Sequence, residues 1–301
     1  MAVPQPAPIR KGRRDPTRSV KLRQEGRSLV NRRIFNLHQQ MRQLIQEHDL
    51  PGLRQAQTIP QGYRIWTEPE SNRLERSEQM LRRTVETTLA TPPDWLGLLI
   101  ERAVRKGVER AGEELHASIL EINTADTVRF QSTAAALEVQ GISAETIRRI
   151  LRHVAQALLA KQRPPELMRE IRRTLEKVTR VRLILLVNTA IVRSVNVGKL
   201  LAYEYHGLKT VGIEPEWQPR GFHQKRLRLD SWFRDQEEFV NVLTAGDDAV
   251  CEECEDIAAG GPYEIGEAHG LIPAHPNCRC AFTPAFDLRF ALTEEREEQE
   301  L

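Results

Sequence analysis

The stretch from residue 251 to residue 280 reads CEECEDIAAGGPYEIGEAHGLIPAHPNCRC and holds all four cysteines of the 301-residue chain. It begins with Cys251-Glu-Glu-Cys254 and ends with His275-Pro-Asn-Cys278-Arg-Cys280. Two ligands three residues apart on a tight turn can point both side chains at one ion, and two such turns complete a tetrahedron. Thiolate and imidazole ligands favour Zn²⁺ over harder cations. The spacing therefore predicts a zinc site.

The favoured ligand set is Cys251, Cys254, His275 and Cys278, and Cys280 competes for the fourth place. Four protein ligands leave no position for water, so the zinc is expected to be structural. Such an ion helps to fold a segment that has too few apolar residues to close by itself.

Two other uses of the cysteines remain open. Two disulfides are one, but the chain shows no secretory signal, and stable disulfides are uncommon in a reducing cytosol. A redox Cys-x-x-Cys is the other, and it needs an electropositive surrounding that stabilises a thiolate. Here Glu252, Glu253, Glu255 and Asp256 surround the pair and disfavour that chemistry.

A metal-dependent nuclease is a further alternative. The candidate active-site residues of such an enzyme are His275, Asn277, Asp247 and Asp248, and His269 offers one further imidazole. The surrounding segment is strongly acidic, however, and repels phosphate. The chain has no Gly-rich phosphate loop, no Gly-x-Ser-x-Gly elbow and no His-Glu-x-x-His pair, so the sequence predicts a protein that is not an enzyme.

Outward from the cysteines, the chain is predicted to be mainly α: an elongated multi-helix body with a small α+β, zinc-stabilised C-terminal module. Residues 1–16 are predicted to be a disordered basic arm, and 17–203 the helical body. Residues 204–290 form the cysteine-rich module, with a charged surface insertion at 218–243. An acidic tail covers 291–301.

Within the body, apolar residues recur at intervals of three and four, as on one face of an amphipathic helix. The pattern predicts a long helix over 94–122, a short helix that Gly141 ends, and a new helix that Ser143 caps. The segment 181–203 is apolar on several sides and is expected to be the most buried helix. Since no stretch of eighteen apolar residues exists, no membrane span is predicted.

Charge is distributed unevenly along the chain. Residues 1–50 carry eleven Lys/Arg against four Asp/Glu, whereas residues 246–301 carry three Arg against fourteen Asp/Glu. The basic end is expected to face nucleic acid or acidic surfaces and the acidic end basic protein surfaces, although both are also typical of solvated flanks. Aromatic residues do not interleave with the arginines of 17–50, because Phe35 stands beside Ile34 and is expected to pack.

The cysteine region resembles a known family. The string from Thr244 to Cys254, the Gly261-Pro262-Tyr263 that follows and the end from Ile272 to Cys280 are similar to those of the phage Mu protein F-like minor head proteins, the phage head morphogenesis family. The helix from Arg182 to Gly198 fits as well, and the resemblance covers roughly 140–285. The chain departs from the family at Asn188-Thr189-Ala190, where an Arg-Thr-Glu-like triplet is usual.

The resemblance implies a minor structural protein of a tailed-phage or prophage head, part of a multi-subunit virion assembly. Such a protein contacts portal, major capsid or scaffold protein, and its basic N-terminal region would lie toward packaged DNA. It would be found in the virion head, and in the host cytoplasm during assembly. The alternatives are a nuclease that uses the His275/Asn277 region and a zinc-module DNA-binding regulator.

Overall fold

The structure is a computed structural model that describes residues 15–47, 68–89, 94–115, 122–160, 162–206, 239–247 and 250–285. Most of the predicted basic arm, most of the predicted insertion and the acidic tail lie outside the described residues. Within the described part the chain is mainly helical and has a small three-stranded antiparallel sheet, which confirms the predicted fold class.

The helices α1 to α6 come first along the chain and precede the sheet. Their bounds are Val20–Arg42, Glu68–Leu89, Asp94–Leu115, Ala125–Leu159, Pro164–Thr174 and Arg180–His206. Two π-helical turns accompany them: Gln43–Glu47 continues α1, and Leu175–Thr179 joins α5 to α6. The remaining elements are β1, α7, β2, α8 and β3, with the bounds Phe239–Leu243, Glu252–Gly260, Tyr263–Glu264, Ile265–Ala268 and Ala281–Pro284.

One predicted helix boundary is wrong. Residues 125–159 form a single helix, α4, without a break at Gly141 or a cap at Ser143. The Ser143 hydroxyl donates to the carbonyl of Val139 at 2.9 Å, a bond back along the same helix. A glycine inside a helix costs only about 1 kcal/mol. Burial of Val139 and Ile147 on either side of the expected break offsets that cost.

The helix α6 is buried on several sides, as predicted. Leu183, Val187, Ile191 and Val195 are each at most 2% exposed. By length and hydropathy alone, the helical segment Pro164–Tyr205 qualifies as a candidate membrane span, and 72% of its most apolar window is buried inside the protein. A buried core helix passes the same test, so the finding is weak evidence for a span.

The chain divides into two compact units. The first, here the cysteine unit, takes Met1–Val20, Glu101–Thr127 and Ile191–Leu301, and the second, here the helical unit, takes Lys21–Ile100 and Val128–Ala190. This division differs from the predicted boundary at 203/204, because the second halves of α3 and α6 belong with the cysteine-rich module.

The helical unit is joined by side chains that link neighbouring helices. The Arg33 guanidinium on α1 donates to the carbonyl of Thr88 at 2.7 Å and lies 4.9 Å from the ring centre of Trp95. The hydroxyls of Thr146 on α4 and Thr179 hydrogen-bond at 2.9 Å. These contacts supplement the apolar stripes that the sequence predicts.

The sheet of the cysteine unit has the strand order β2-β1-β3, with β1 antiparallel to both neighbours. Its central strand is a correction, because residues 239–243 were predicted to end the surface insertion. Val240 is fully buried and pairs with Tyr263, and Val242 is buried opposite Phe282. Alternating valines favour a strand at this point, although the sequence just before them is charged.

Candidate metal centre

The cysteine unit is built on a close crossing of α3 and α6. A Cβ added to Gly198 would lie 2.2 Å from the carbonyl oxygen of Val104, and one added to Gly107 would lie 2.0 Å from the carbonyl oxygen of Val195. Only glycine at both positions lets the two backbones touch. The crossing fixes the face of α6 against which the sheet packs.

The outer edge of β3 is held by Asn196 on α6. The Asn196 side-chain amide donates to the carbonyl of Cys280 at 3.0 Å, and its oxygen accepts from the amide of Phe282 at 3.3 Å. An edge strand leaves such backbone groups without a partner strand, and here a buried side chain binds them. The helix thereby sets the position of the last candidate ligand.

One turn further along α6, Lys199 links both helices to the same strand. Its ammonium donates to Glu114 on α3 at 2.8 Å and to the carbonyl of Phe282, and the Tyr203 hydroxyl donates to the same carboxylate. Burial lowers the pKa of Lys199, an effect that the Glu114 carboxylate opposes, and burial raises the pKa of Tyr203. The ion pair compensates a lysine that is 2% exposed.

The first ligand turn stands at the start of α7. Cys251 occupies the N-cap position, and its carbonyl accepts from the Glu255 amide at 3.1 Å. Cys254 follows in the first turn of the helix and is 2% exposed. Because both residues belong to one helix start, their side chains lie on neighbouring positions of one turn.

The second ligand turn is formed by His275-Pro-Asn-Cys278. The Cys278 amide donates to the His275 carbonyl at 3.1 Å, and Asn277 has a positive φ of 65°. Asparagine tolerates this left-handed conformation better than most residues. Cys280 comes directly before β3, at the position that Asn196 holds.

The two turns meet, as the spacing predicts. The ligand atoms of Cys251, Cys254 and His275 lie within 4.8 Å of one another, and so do those of Cys254, Cys278 and Cys280. Cys254 Sγ is 3.7 Å from Cys278 Sγ and 3.2 Å from His275 Nε2. A tetrahedral site with metal–sulfur bonds of about 2.3 Å holds its sulfurs about 3.8 Å apart. The residues therefore form a cluster that can hold a metal ion, and Cys254 belongs to both halves of it.

His275 presents the correct ring nitrogen. Its Nδ1 hydrogen-bonds the carbonyl of Pro276 at 2.9 Å, a contact in which the nitrogen must donate. In the neutral ring, the lone pair is then left on Nε2, the atom that faces Cys254. A partner of this kind orients a metal-binding histidine.

The thiols perturb one another. Burial raises the pKa of Cys254 to about 12, whereas the hydrogen bond from Cys280 lowers the pKa of Cys278 to about 5. The same hydrogen bond raises the pKa of Cys280. The cluster thus concentrates negative charge on Cys278. All four cysteines are free thiols in the structure.

An ion pair joins the entrance of the cysteine stretch to its end. Arg279 donates through both guanidinium nitrogens to the carboxylate of Asp247, in one case at 2.6 Å. The contact raises the pKa of Arg279. The sequence indicates Asp247 as a candidate site residue, whereas Arg279 was not predicted to have a role. The position of Arg279 between two cysteines is the signal that could have indicated one.

The other sequence candidates are not among the donors of this cluster, or they lie beyond the described residues. His269 pairs through Nε2 with the exposed Glu204 at 2.7 Å. Asn277 is exposed in its turn, Asp247 is occupied by Arg279, and Asp248 lies outside the described residues.

Comparisons of the chain with protein-family models, with curated proteins and with solved structures each found no match.

Proposed function

We propose that this chain is a minor structural protein of a tailed-phage or prophage head and acts in head morphogenesis. The observation that carries the proposal is that the residues of the resemblance contact one another although they are far apart in sequence. Asn196 binds the backbone of Cys280, and Asp247 binds Arg279. Cys254 lies beside both His275 and Cys278. A motif whose parts depend on each other in this way supports kinship better than a short matching string does.

The proposed cofactor is a structural Zn²⁺. Sulfur and imidazole donors suit zinc, and the distances between their atoms suit a tetrahedral ion. When bound, zinc would supply a rigid cross-link between the two ligand turns. Asn196 and Asp247 then keep Cys280 and Arg279 in place, and the buried side of the cluster excludes water. No catalytic role is proposed for these residues.

The proposed partners are portal and capsid or scaffold protein, with packaged DNA near the basic N-terminal region. On the acidic side, α7 carries exposed carboxylates at Glu252, Glu253, Glu255 and Asp256. Charged faces of this kind steer association with surfaces of opposite sign. The proposed place of action is the virion head, after assembly in the host cytoplasm.

The test starts from particles released by the strain that encodes the chain. We expect mass spectrometry to find the protein in purified heads. We expect deletion of its gene to lower the titre of infectious particles, with rescue by the wild-type gene and not by Cys254→Ser. A matched control is Ser28→Ala, which changes an exposed residue on α1. Absence of the protein from heads, together with an unchanged titre, would overturn the proposal.

Two assays on purified protein separate the alternatives. Magnesium-dependent nicking of DNA that His275→Ala abolishes would favour the nuclease. Sequence-specific DNA binding that survives moderate salt would favour the regulator, because binding through phosphates alone weakens steeply as salt rises. We expect neither result.

A further inference from the structure

A groove on the helical unit has no role in the proposed function. It runs between α1 and the π-helical turn after α5 and has a volume of about 370 Å³. Buried side chains of Ile34 and Leu175 contribute its apolar lining. A π-helical turn widens a helix locally and frequently occurs at functional sites. The groove is thus an apolar recess beside an irregular helix junction.

The expectation that Phe35 packs beside Ile34 is wrong. Phe35 lines the groove and is 62% exposed, whereas Ile34 is 5% exposed. Burying the apolar surface of a phenylalanine side chain is favourable in free energy. A ring left open at the rim of an apolar recess therefore gives a partner a place to gain that free energy.

The charges of the groove indicate what kind of partner fits. Arg172 and Arg180 line it together with one carboxylate, Glu176. Arg172 donates to Glu176 at 2.8 Å, but both side chains are about half exposed, so this pair contributes little to stability. An apolar recess flanked by two arginines suits a segment that carries large apolar side chains and carboxylates. Phosphate chains fit less well, because they have no apolar groups to cover the exposed Phe35 ring and the apolar lining beside it.

The chain itself carries a segment of that composition. Residues 286–301 read FDLRFALTEEREEQEL, with four large apolar residues followed by five glutamates. We propose that the groove of one copy binds residues 286–301 of a second copy. The apolar residues would cover Phe35, Ile34 and Leu175, and the glutamates would pair with Arg172 and Arg180. This contact is heterologous, so it can repeat from copy to copy.

Photo-cross-linking of the full chain tests the inference. The photoreactive residue p-benzoylphenylalanine replaces Phe35 in one sample and Phe130 in a control. Phe130 is 71% exposed on α4 and does not line the groove. Isotopically light and heavy proteins are mixed before irradiation, so mass spectrometry distinguishes links within a chain from links between chains.

We expect position 35 to link to residues 286–301 of the other isotopic form, and position 130 to do so at about a tenth of that yield or less. Arg180→Glu in the position-35 protein should lower the yield about tenfold at an unchanged melting temperature, because like charges then face each other. Links only within a chain, links to other residues, or equal yields from both positions would overturn the inference. Loss of the links when single-stranded DNA is added, with DNA attached to position 35 instead, would also overturn it. The inference goes beyond the head role and stands or falls separately from it.

Discussion

The Cα of Gly198 lies so close to Val104 that a single added carbon would sit 2.2 Å from the Val104 carbonyl oxygen. This contact lies in the crossing of α3 and α6, and α6 also carries the residues that hold β3. Backbone atoms cannot rotate away as side chains can, so the helices must separate to admit any larger residue. The contact therefore supports the whole cysteine unit.

We predict that Gly198→Ala destabilises the protein by about 3 kcal/mol, the upper part of the range for overpacked cores. Gly141→Ala is the matched control, because nothing lies within 4 Å of a Cβ at that exposed helical position. There alanine should stabilise by roughly 0.5–1 kcal/mol through its helix propensity. Thermal and urea unfolding of both variants give the comparison. A Gly198→Ala protein as stable as the wild type would contradict the close crossing.

We predict that the three cysteine variants at positions 251, 254 and 280 differ in zinc binding. Cys254→Ser should abolish stoichiometric binding, because its sulfur belongs to both halves of the cluster. Cys251→Ser and Cys280→Ser should each retain weakened binding, because each of these sulfurs belongs to one half of the cluster and its loss leaves the other half intact. Elemental analysis of protein purified without chelator measures the ratio of zinc to protein. Equal loss in all three variants would argue against a cluster with five donors, and no zinc in folded, reduced wild-type protein would argue against the ion itself.

We predict that zinc binding at pH 7 releases protons and weakens as the pH falls. The pKa of Cys254 is raised to about 12 and that of Cys280 is raised too, so both thiols are protonated before the metal arrives, whereas Cys278, with a pKa of about 5, is already ionised. Each displaced proton lowers the binding constant about tenfold per unit of falling pH. Titration calorimetry in buffers of different ionisation enthalpy counts the protons. Binding that does not vary between pH 6 and pH 8 would refute this account.

We predict that Lys199→Met costs about 3 kcal/mol of unfolding free energy, because it leaves the Glu114 carboxylate without its buried cation. Glu114→Gln should partly relieve that cost, so the double variant should be more stable than the sum of the single effects. Arg105→Met is a matched control, since Arg105 forms an exposed pair with Glu101 one turn away, and it should cost less than about 0.5 kcal/mol. Strictly additive effects of the Lys199 and Glu114 changes would contradict the coupling.

The helix stripes could be predicted because a helix repeats every 3.6 residues and that period is local in sequence. The helix break predicted at Gly141 is wrong. The local preference of glycine and serine for helix ends is weak, and the burial of Val139 and Ile147 against other parts of the chain outweighs it. The strand at 239–243 was missed for a related reason. Val240 and Val242 favour a strand clearly only when their cross-strand partners, Tyr263 and Phe282, are known.

The ligand turns could be predicted because each is a turn of four residues with both donors inside it. Their supports could not, since Asn196 lies 84 residues from Cys280 and Glu114 lies 85 from Lys199. No periodicity links such pairs. A lone lysine in the apolar segment 181–203 was the one local hint of them. The choice of which residues among His275, Cys278 and Cys280 complete the site also depends on three-dimensional distances that spacing does not encode.

The Asp247–Arg279 pair brings together residues 32 apart in sequence, one before Cys251 and the other between Cys278 and Cys280. Holding the ends of a loop lowers the entropy that remains to be lost when its middle is ordered. An emptied centre would accordingly keep its donors near one another and recapture an ion faster than an unrestrained coil. We therefore expect this ion pair to keep the two ligand turns close together while no ion is bound, so that the protein can take up a metal ion again after losing one.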